Sequence, residues 1–161
     1  MIGLVTLSIR PLLPADAPKC GAIVAVTPLW QRYGLTGERA AGLLSAAATA
    51  NEGVLVAELD GEVVGFAWWI PRGAFGRSPY LRLIGVAAEV RGHSVGKALL
   101  AAVEAGATLV GADCFLLVSD FNHDAQRFYE REGYSAIGRI PDFVAHGVTE
   151  IIYRKVLRRL G

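Results

Sequence analysis

A chain of 161 residues that is 53% hydrophobic and 19% charged has the length of one ordinary domain, and folding can bury about 70% of the surface its unfolded form exposes. Its 16 Lys plus Arg against 15 Asp plus Glu leave a formal charge of +1, which excludes a strongly basic nucleic-acid binder and an acidic disordered tail. The mean hydropathy of +0.39 is high, yet the longest uncharged stretches, Cys20 to Gln31 and Ala40 to Asn51, have twelve residues each, short of the roughly 18 that a membrane-spanning helix needs.

The start, Met1 to Ile9, has no positively charged region and no small-residue cleavage site, so no signal peptide is expected. Val5, Leu7 and Ile9 alternate with Thr6 and Ser8, the pattern of a half-buried strand, and Arg10-Pro11 ends it. Asp16 is placed to cap a first helix with Pro18 in its first turn, running toward Pro28, and a second helix fits Thr36 to Asn51. Cys20 and Cys114 are far apart and form no CxxC, which suits two buried thiols in a cytoplasmic protein.

From Gly53 the pattern becomes extended. Val54 to Leu59 and Val63 to Ile70 flank Asp60-Gly61, a pair that supplies the positive backbone angles of a two-residue type I′ turn, so a hairpin is expected. A Gly- and Pro-containing loop follows from Pro71 to Pro79, then an apolar strand from Tyr80 to Val86. After Gly92 a helical pattern begins, with Val95, Leu99, Leu100 and Val103 on one side. Cys114 to Val118 is a short buried strand, Asn122 to Glu132 a helix closed by Gly133, and Tyr134 to Ile140 and Glu150 to Val156 are the last strands. This order implies a single α/β or α+β layered domain over residues 1–161, with a mixed sheet.

Chemistry concentrates in two segments. Leu81 to Leu100 is a buried strand, a turn holding Arg91, Gly92 and Gly96, and a helix. Glycines let main chain approach a ligand closely, and the unsatisfied amides of a helix start favour an anion such as a phosphate; the alternative is a turn where Gly only relieves backbone strain. A P-loop does not fit, because three residues rather than four separate Gly92 from Gly96-Lys97 and Ala98 stands where Ser or Thr would hold magnesium. In the second segment, Cys114 to Tyr134, a helix from Asn122 places Ala125, Phe128, Tyr129 and Glu132 on one face. Taken alone, Phe128 and Tyr129 are ordinary core aromatics and Asn122 an ordinary N-cap.

Together the two segments resemble the GNAT superfamily of acetyl-CoA-dependent N-acetyltransferases. Arg91, Gly92, His93, Ser94, Val95 and Gly96 are similar to the family's pyrophosphate loop, with Ser94 in place of the usual Gly. Asn122, Ala125, Phe128-Tyr129-Glu130 and Gly133-Tyr134 resemble its helix motif. The resemblance implies a mixed, mostly antiparallel sheet flanked by helices, with acetyl-CoA as co-substrate. It also implies that the strand Leu83 to Val86 splays from Phe115 to Val118 to admit the pantetheine arm. Ile84, Val86, Arg91, Gly92, His93, Ser94, Val95, Gly96, Lys97, Asn122 and Phe128 would then bind the cofactor. Val86 would offer its N–H to the thioester carbonyl, and Tyr129 would serve the leaving sulfur. Ser94 could offer its own amide if its backbone angles are helical.

Trp30, Tyr33, Trp68, Phe75, Tyr80 and Phe143 are candidates for lining an acceptor pocket. Few acidic residues lie among them, which favours a free amino acid, small amine or peptide terminus over a polycation. Glu89 is expected to face solvent, and Glu150 either reaches the site or pairs with a neighbouring Arg. His93, His123 and His146 are too scattered for a metal motif, so surface positions and no metal are expected. The expected partner is an amine substrate, without nucleic acid or membrane, in a monomer or homodimer. The alternative function is a non-catalytic acyl-CoA-binding or regulatory domain.

Overall fold

The structure, a computed structural model, describes residues 4–161. Its strands are β1 (Leu7–Pro11), β2 (Gly53–Leu59), β3 (Glu62–Ala74), β4 (Ser78–Val86), β5 (Asp113–Ser119), β6 (Ser135–Pro141) and β7 (Thr149–Val156). Its helices are α1 (Ala17–Ala25), α2 (Pro28–Arg32), α3 (Gly37–Thr49), α4 (Val95–Thr108) and α5 (His123–Arg131). The strand order is β1-β2-β3-β4-β5-β7-β6. β4 and β5 pair in parallel, while β1–β2, β2–β3, β5–β7 and β6–β7 pair antiparallel. This is the mixed, mostly antiparallel sheet with helices that the sequence implied. Residue contacts gather into two compact units, Met1–Trp69 with Leu83–Val103, and Ile70–Arg82 with Glu104–Gly161.

In the first unit, Asp60 (φ 50°) and Gly61 (φ 84°) make the expected tight turn between β2 and β3. Val54, Val56 and Phe66 are buried, as are Val24 of α1 and Leu44 of α3, which supply further core. The helices differ from expectation. α1 runs toward Pro28 as expected, but α2 is an extra element, because Pro28 lacks the N–H to continue a helix and fits the first position of a new one. Asp16 does not cap α1 with its side chain. Its buried carboxylate instead accepts from Leu13 N–H at 2.7 Å and from Arg10 at 2.6 Å. Arg10 also donates to Glu58 at 2.6 Å, tying β1, β2 and the turn before α1 together.

In the second unit the expected loop from Pro71 to Pro79 is instead the end of a hairpin. β3 continues through Pro71 to Ala74, Phe75 (φ 58°) and Gly76 (φ 65°) turn the chain, and Arg77 N–H closes the turn on Ala74 O at 3.1 Å. Phe-Gly adopts the mirror-image turn that sequence expectation assigns to Asn-Gly or Asp-Gly, so it carried no obvious signal. β4 and β5 pair at Tyr80↔Phe115 and Leu81↔Leu116. On β5, Cys114, Leu116 and Val118 are buried, alternating with half-buried residues in the period-2 pattern. Asn122 caps α5 by accepting from Ala125 N–H at 3.2 Å, and Gly133 (φ 93°) follows its end.

Candidate active site

The proposed site residues of the first unit lie on one strand–turn–helix. Ile84 and Val86 are half-buried at the end of β4. Ala87 N–H donates to Val64 O of β3 at 2.8 Å. Successive amides of a strand point to opposite edges, so the N–H groups of Val86 and Ile84 are turned away from β3. A 3-10 turn (Ala88–Val90) leads to Arg91, Gly92, His93 and Ser94, all exposed, and then to α4. The first intrahelical bond at this end runs from Ala98 N–H to Ser94 O at 3.0 Å. The amides of Val95, Gly96 and Lys97 therefore precede the ladder and belong to the helix's unsatisfied N-terminal set. Arg91 and Lys97 add two exposed cations.

Ser94 corrects one expectation. Its φ is +61° rather than helical, while Gly92 stands at +85°. The left-handed conformation is the physical reason for a glycine at this position, and Ser94 holds it at a cost in strain. Alternating hands along a turn bring successive amides onto one concave side, an arrangement suited to an anion.

The second unit holds Asn122, Phe128 and Tyr129. α5 turns Tyr129 inward, leaving it 6% exposed, with its ring edge-on to Phe128 at 5.1 Å and to Tyr134 at 5.6 Å. Its hydroxyl makes no hydrogen bond among the described residues. Burial, with Cys114 and Tyr80 nearby, raises its pKa above the ordinary phenol value, so Tyr129 stays a hydrogen-bond donor at neutral pH. Tyr134 has a buried hydroxyl that lies near Cys114 and Glu104 without a well-formed hydrogen bond. Burial raises the Tyr134 phenol as well, and Lys155, paired with Glu104 at 2.8 Å, sits over its ring.

Of the residues left open by the sequence, Glu89, His93, His123 and His146 are exposed. Among the described residues no group of His, Cys, Asp or Glu is arranged to hold a metal ion. Glu150 is buried on β7 at 4% exposure and accepts from Ser119 Oγ at 3.1 Å. Phe75 and Phe143 are exposed, whereas Trp30 and Trp68 are buried. Sequence reasoning missed the contact between α2 and β4: a Cβ on Gly85 would lie 2.7 Å from Trp30 Cη2 and 2.7 Å from Phe66 Cε1. The available signal was a glycine inside an apolar strand, which marks a close approach.

The sequence pattern of the acetyltransferase (GNAT) family matches residues 25–134. Solved structures are similar to this protein over nearly the whole chain, among them the following. A GNAT-family protein from Desulfovibrio desulfuricans is 27% identical with a TM-score of 0.81, covering 95% of this chain and 100% of its own. Ribosomal-protein-alanine N-acetyltransferase from Brucella melitensis is 25% identical with a TM-score of 0.76, covering 92% and 99%. YncA from Salmonella typhimurium, solved with acetyl-CoA, is 18% identical with a TM-score of 0.77, covering 97% and 96%. No curated protein matches the chain. A family match across more than half of the sequence, on a fold shared almost end to end, means that the chain belongs to the acetyltransferase (GNAT) family.

Proposed function

We propose that the protein moves the acetyl group of acetyl-CoA to a primary amine by direct attack, the acceptor being a free amino acid, a small amine or a peptide N-terminus. The observation that carries this reading is the run from Val86 to Lys97: an amide turned away from β3, a turn of alternating hand, and the open start of α4. Those amides, with Arg91 and Lys97, fit the pyrophosphate of a coenzyme A. Ile84, His93, Asn122 and Phe128 complete the proposed binding set.

When bound, acetyl-CoA supplies an acyl group activated as a thioester. Val86 N–H donates to its carbonyl oxygen and stabilises the negative charge that grows there as the amine attacks. Tyr129 O–H donates a hydrogen bond to the departing sulfur. A CoA thiol has a pKa of about 8.5 and an ordinary phenol about 10, and burial takes Tyr129 higher still. Complete proton transfer from Tyr129 is therefore uphill, and its part is to stabilise the thiolate.

The acceptor's own basicity narrows the choice. An α-amine of pKa about 7.8 is roughly one part in seven neutral at pH 7, whereas a lysine amine near 10.4 is about one part in 2,500, a penalty of about 4.6 kcal/mol. An α-amine needs little help from a base, and the likeness to a ribosomal-protein-alanine N-acetyltransferase supports a peptide terminus among the candidates. Both cysteines are free and buried, which supports a reducing, cytoplasmic setting. Among the described residues no helix is long and apolar enough to cross a membrane. Thiol release from acetyl-CoA, followed across a panel of amino acids, small amines and alanine-starting peptides, tests the reading. Turnover with an α-amine is expected, and binding of CoA with no acceptor-dependent thiol release would leave a non-catalytic binding domain instead.

A further inference from the structure

Beside Val86 the sheet is closed on one face by an indole. Gly85 has no side chain, and the volume one would occupy is filled by Trp30 Cη2 and by Phe66 Cε1 and Cζ, the last 3.0 Å from an ideal Cβ. Trp30 and Phe66 are 7% and 0% exposed, with ring centroids 5.9 Å apart. Both rings are packed into the interior. The main chain of Trp30 is held by Thr27, whose O accepts Trp30 N–H at 3.1 Å, and by Leu35, whose N–H donates to Trp30 O at 2.9 Å. Thr27 is itself held by its hydroxyl on Ile23 O at 2.6 Å. The side chain of Val86 projects to the other face of the strand, because successive residues alternate.

A carbonyl oxygen accepting from Val86 N–H at about 3 Å puts its carbon alongside the Gly85–Val86 peptide. An acyl chain growing from that carbon meets Val86's own side chain on one face and the Trp30–Phe66 wall on the other. We propose that Trp30, braced by Phe66 and seated against Gly85, is the specificity-determining residue that restricts the transferred acyl group to two carbons. This rests on the assignment of Val86 to the thioester carbonyl. A close-packed apolar wall rejects extra methylenes by steric overlap, and one methylene in such a pocket changes affinity by about 10- to 200-fold.

Calorimetry with CoA, acetyl-CoA and butyryl-CoA separates the wall from the cofactor site, since it needs no acceptor. The wild-type protein is expected to bind CoA and acetyl-CoA and to bind butyryl-CoA at least about tenfold more weakly. Trp30→Ala is expected to bring butyryl-CoA within about twofold of acetyl-CoA with CoA affinity unchanged. Trp30→Phe, which keeps a ring against Phe66 but withdraws the edge facing Gly85, is expected to act in the same direction and serves where the alanine variant does not fold. Wild-type affinity for butyryl-CoA equal to that for acetyl-CoA overturns the proposal, as does discrimination that survives in a folded Trp30 variant. If the wild type binds no CoA at all, the acetyltransferase reading fails and takes this one with it, a result plainly different from intact CoA binding without acyl discrimination.

Discussion

Ser94 shows how one side chain can carry a strain that its neighbours do not. At φ +61° a non-glycine residue costs about 1–3 kcal/mol, while replacing it with glycine returns about 0.5–1 kcal/mol of entropy to the unfolded chain. Ser94→Gly is therefore expected to gain about 0.5–2 kcal/mol, raising the melting temperature by a few degrees, with CoA affinity equal or tighter. A weaker CoA affinity in this variant would show that the hydroxyl itself contacts phosphate. Tyr129 poses the opposite case, a donor on a buried ring without a partner among the described residues. A hydrogen bond to a charged group is worth about 1.5–3 kcal/mol, so Tyr129→Phe is expected to lower kcat by about 10- to 150-fold while acetyl-CoA affinity holds. Because burial raises this phenol, kcat should show no alkaline limb from Tyr129 below pH about 10. A merely structural tyrosine gives the reverse pattern, a lower melting temperature with full activity per folded molecule.

Elements were legible where local chemistry and tertiary packing agree. The Asp60-Gly61 hairpin and the Asn122 cap of α5 follow from residue types at fixed offsets, and each is present. The Phe75-Gly76 turn was hidden because Phe is not a turn residue, and α2 because Pro28 marks both a stop and a start. The strand, turn and helix that carry the candidate site residues of the first unit, and the capped helix that carries those of the second, were each visible in sequence. The wall over Gly85 was not, since its two aromatics come from α2 and β3, far away along the chain. Asn122 tests whether a motif residue does more than cap. Asn122→Ala is expected to cost about 1 kcal/mol, and Asn122→Ser to restore stability; if Ser restores stability but CoA affinity stays low, the amide has a second role at the ligand. Where α1 meets α3, a Cβ on Gly21 would stand 2.4 Å from Gly37 O, backbone that cannot yield cheaply. Gly21→Ala is accordingly expected to destabilise by about 1–3 kcal/mol, measured by urea unfolding, and a neutral result would mean that the two helices separate easily.

At the scale of the molecule, buried titratable groups set the pH range of stability, and their signs differ. Arg10 and the Leu13 amide hold the Asp16 carboxyl below its usual value of 3.8. That contribution is present above pH about 4 and is lost as pH falls through the folded value. On the alkaline side, burial pushes the thiols of Cys20 and Cys114 from 9.0 up to about 12 and about 11, and raises the phenols of Tyr129 and Tyr134 as well. Above pH about 9 the unfolded chain releases protons that the folded chain keeps, so the unfolded state binds fewer protons and stability falls with rising pH. Each fully shifted group contributes at most about 1.4 kcal/mol per pH unit within its window. Urea midpoints are expected to hold level from pH about 5 to about 8.5 and to drop steadily from pH 9 upward. Cys114→Ala should flatten that drop between pH about 9 and about 11 even though it lowers stability at pH 7 by leaving a small cavity, because the alanine has no proton to lose when the chain unfolds. A wild-type midpoint that stays level to pH 11 would mean that the thiols ionise as easily in the folded chain as in the unfolded one, and would overturn this account.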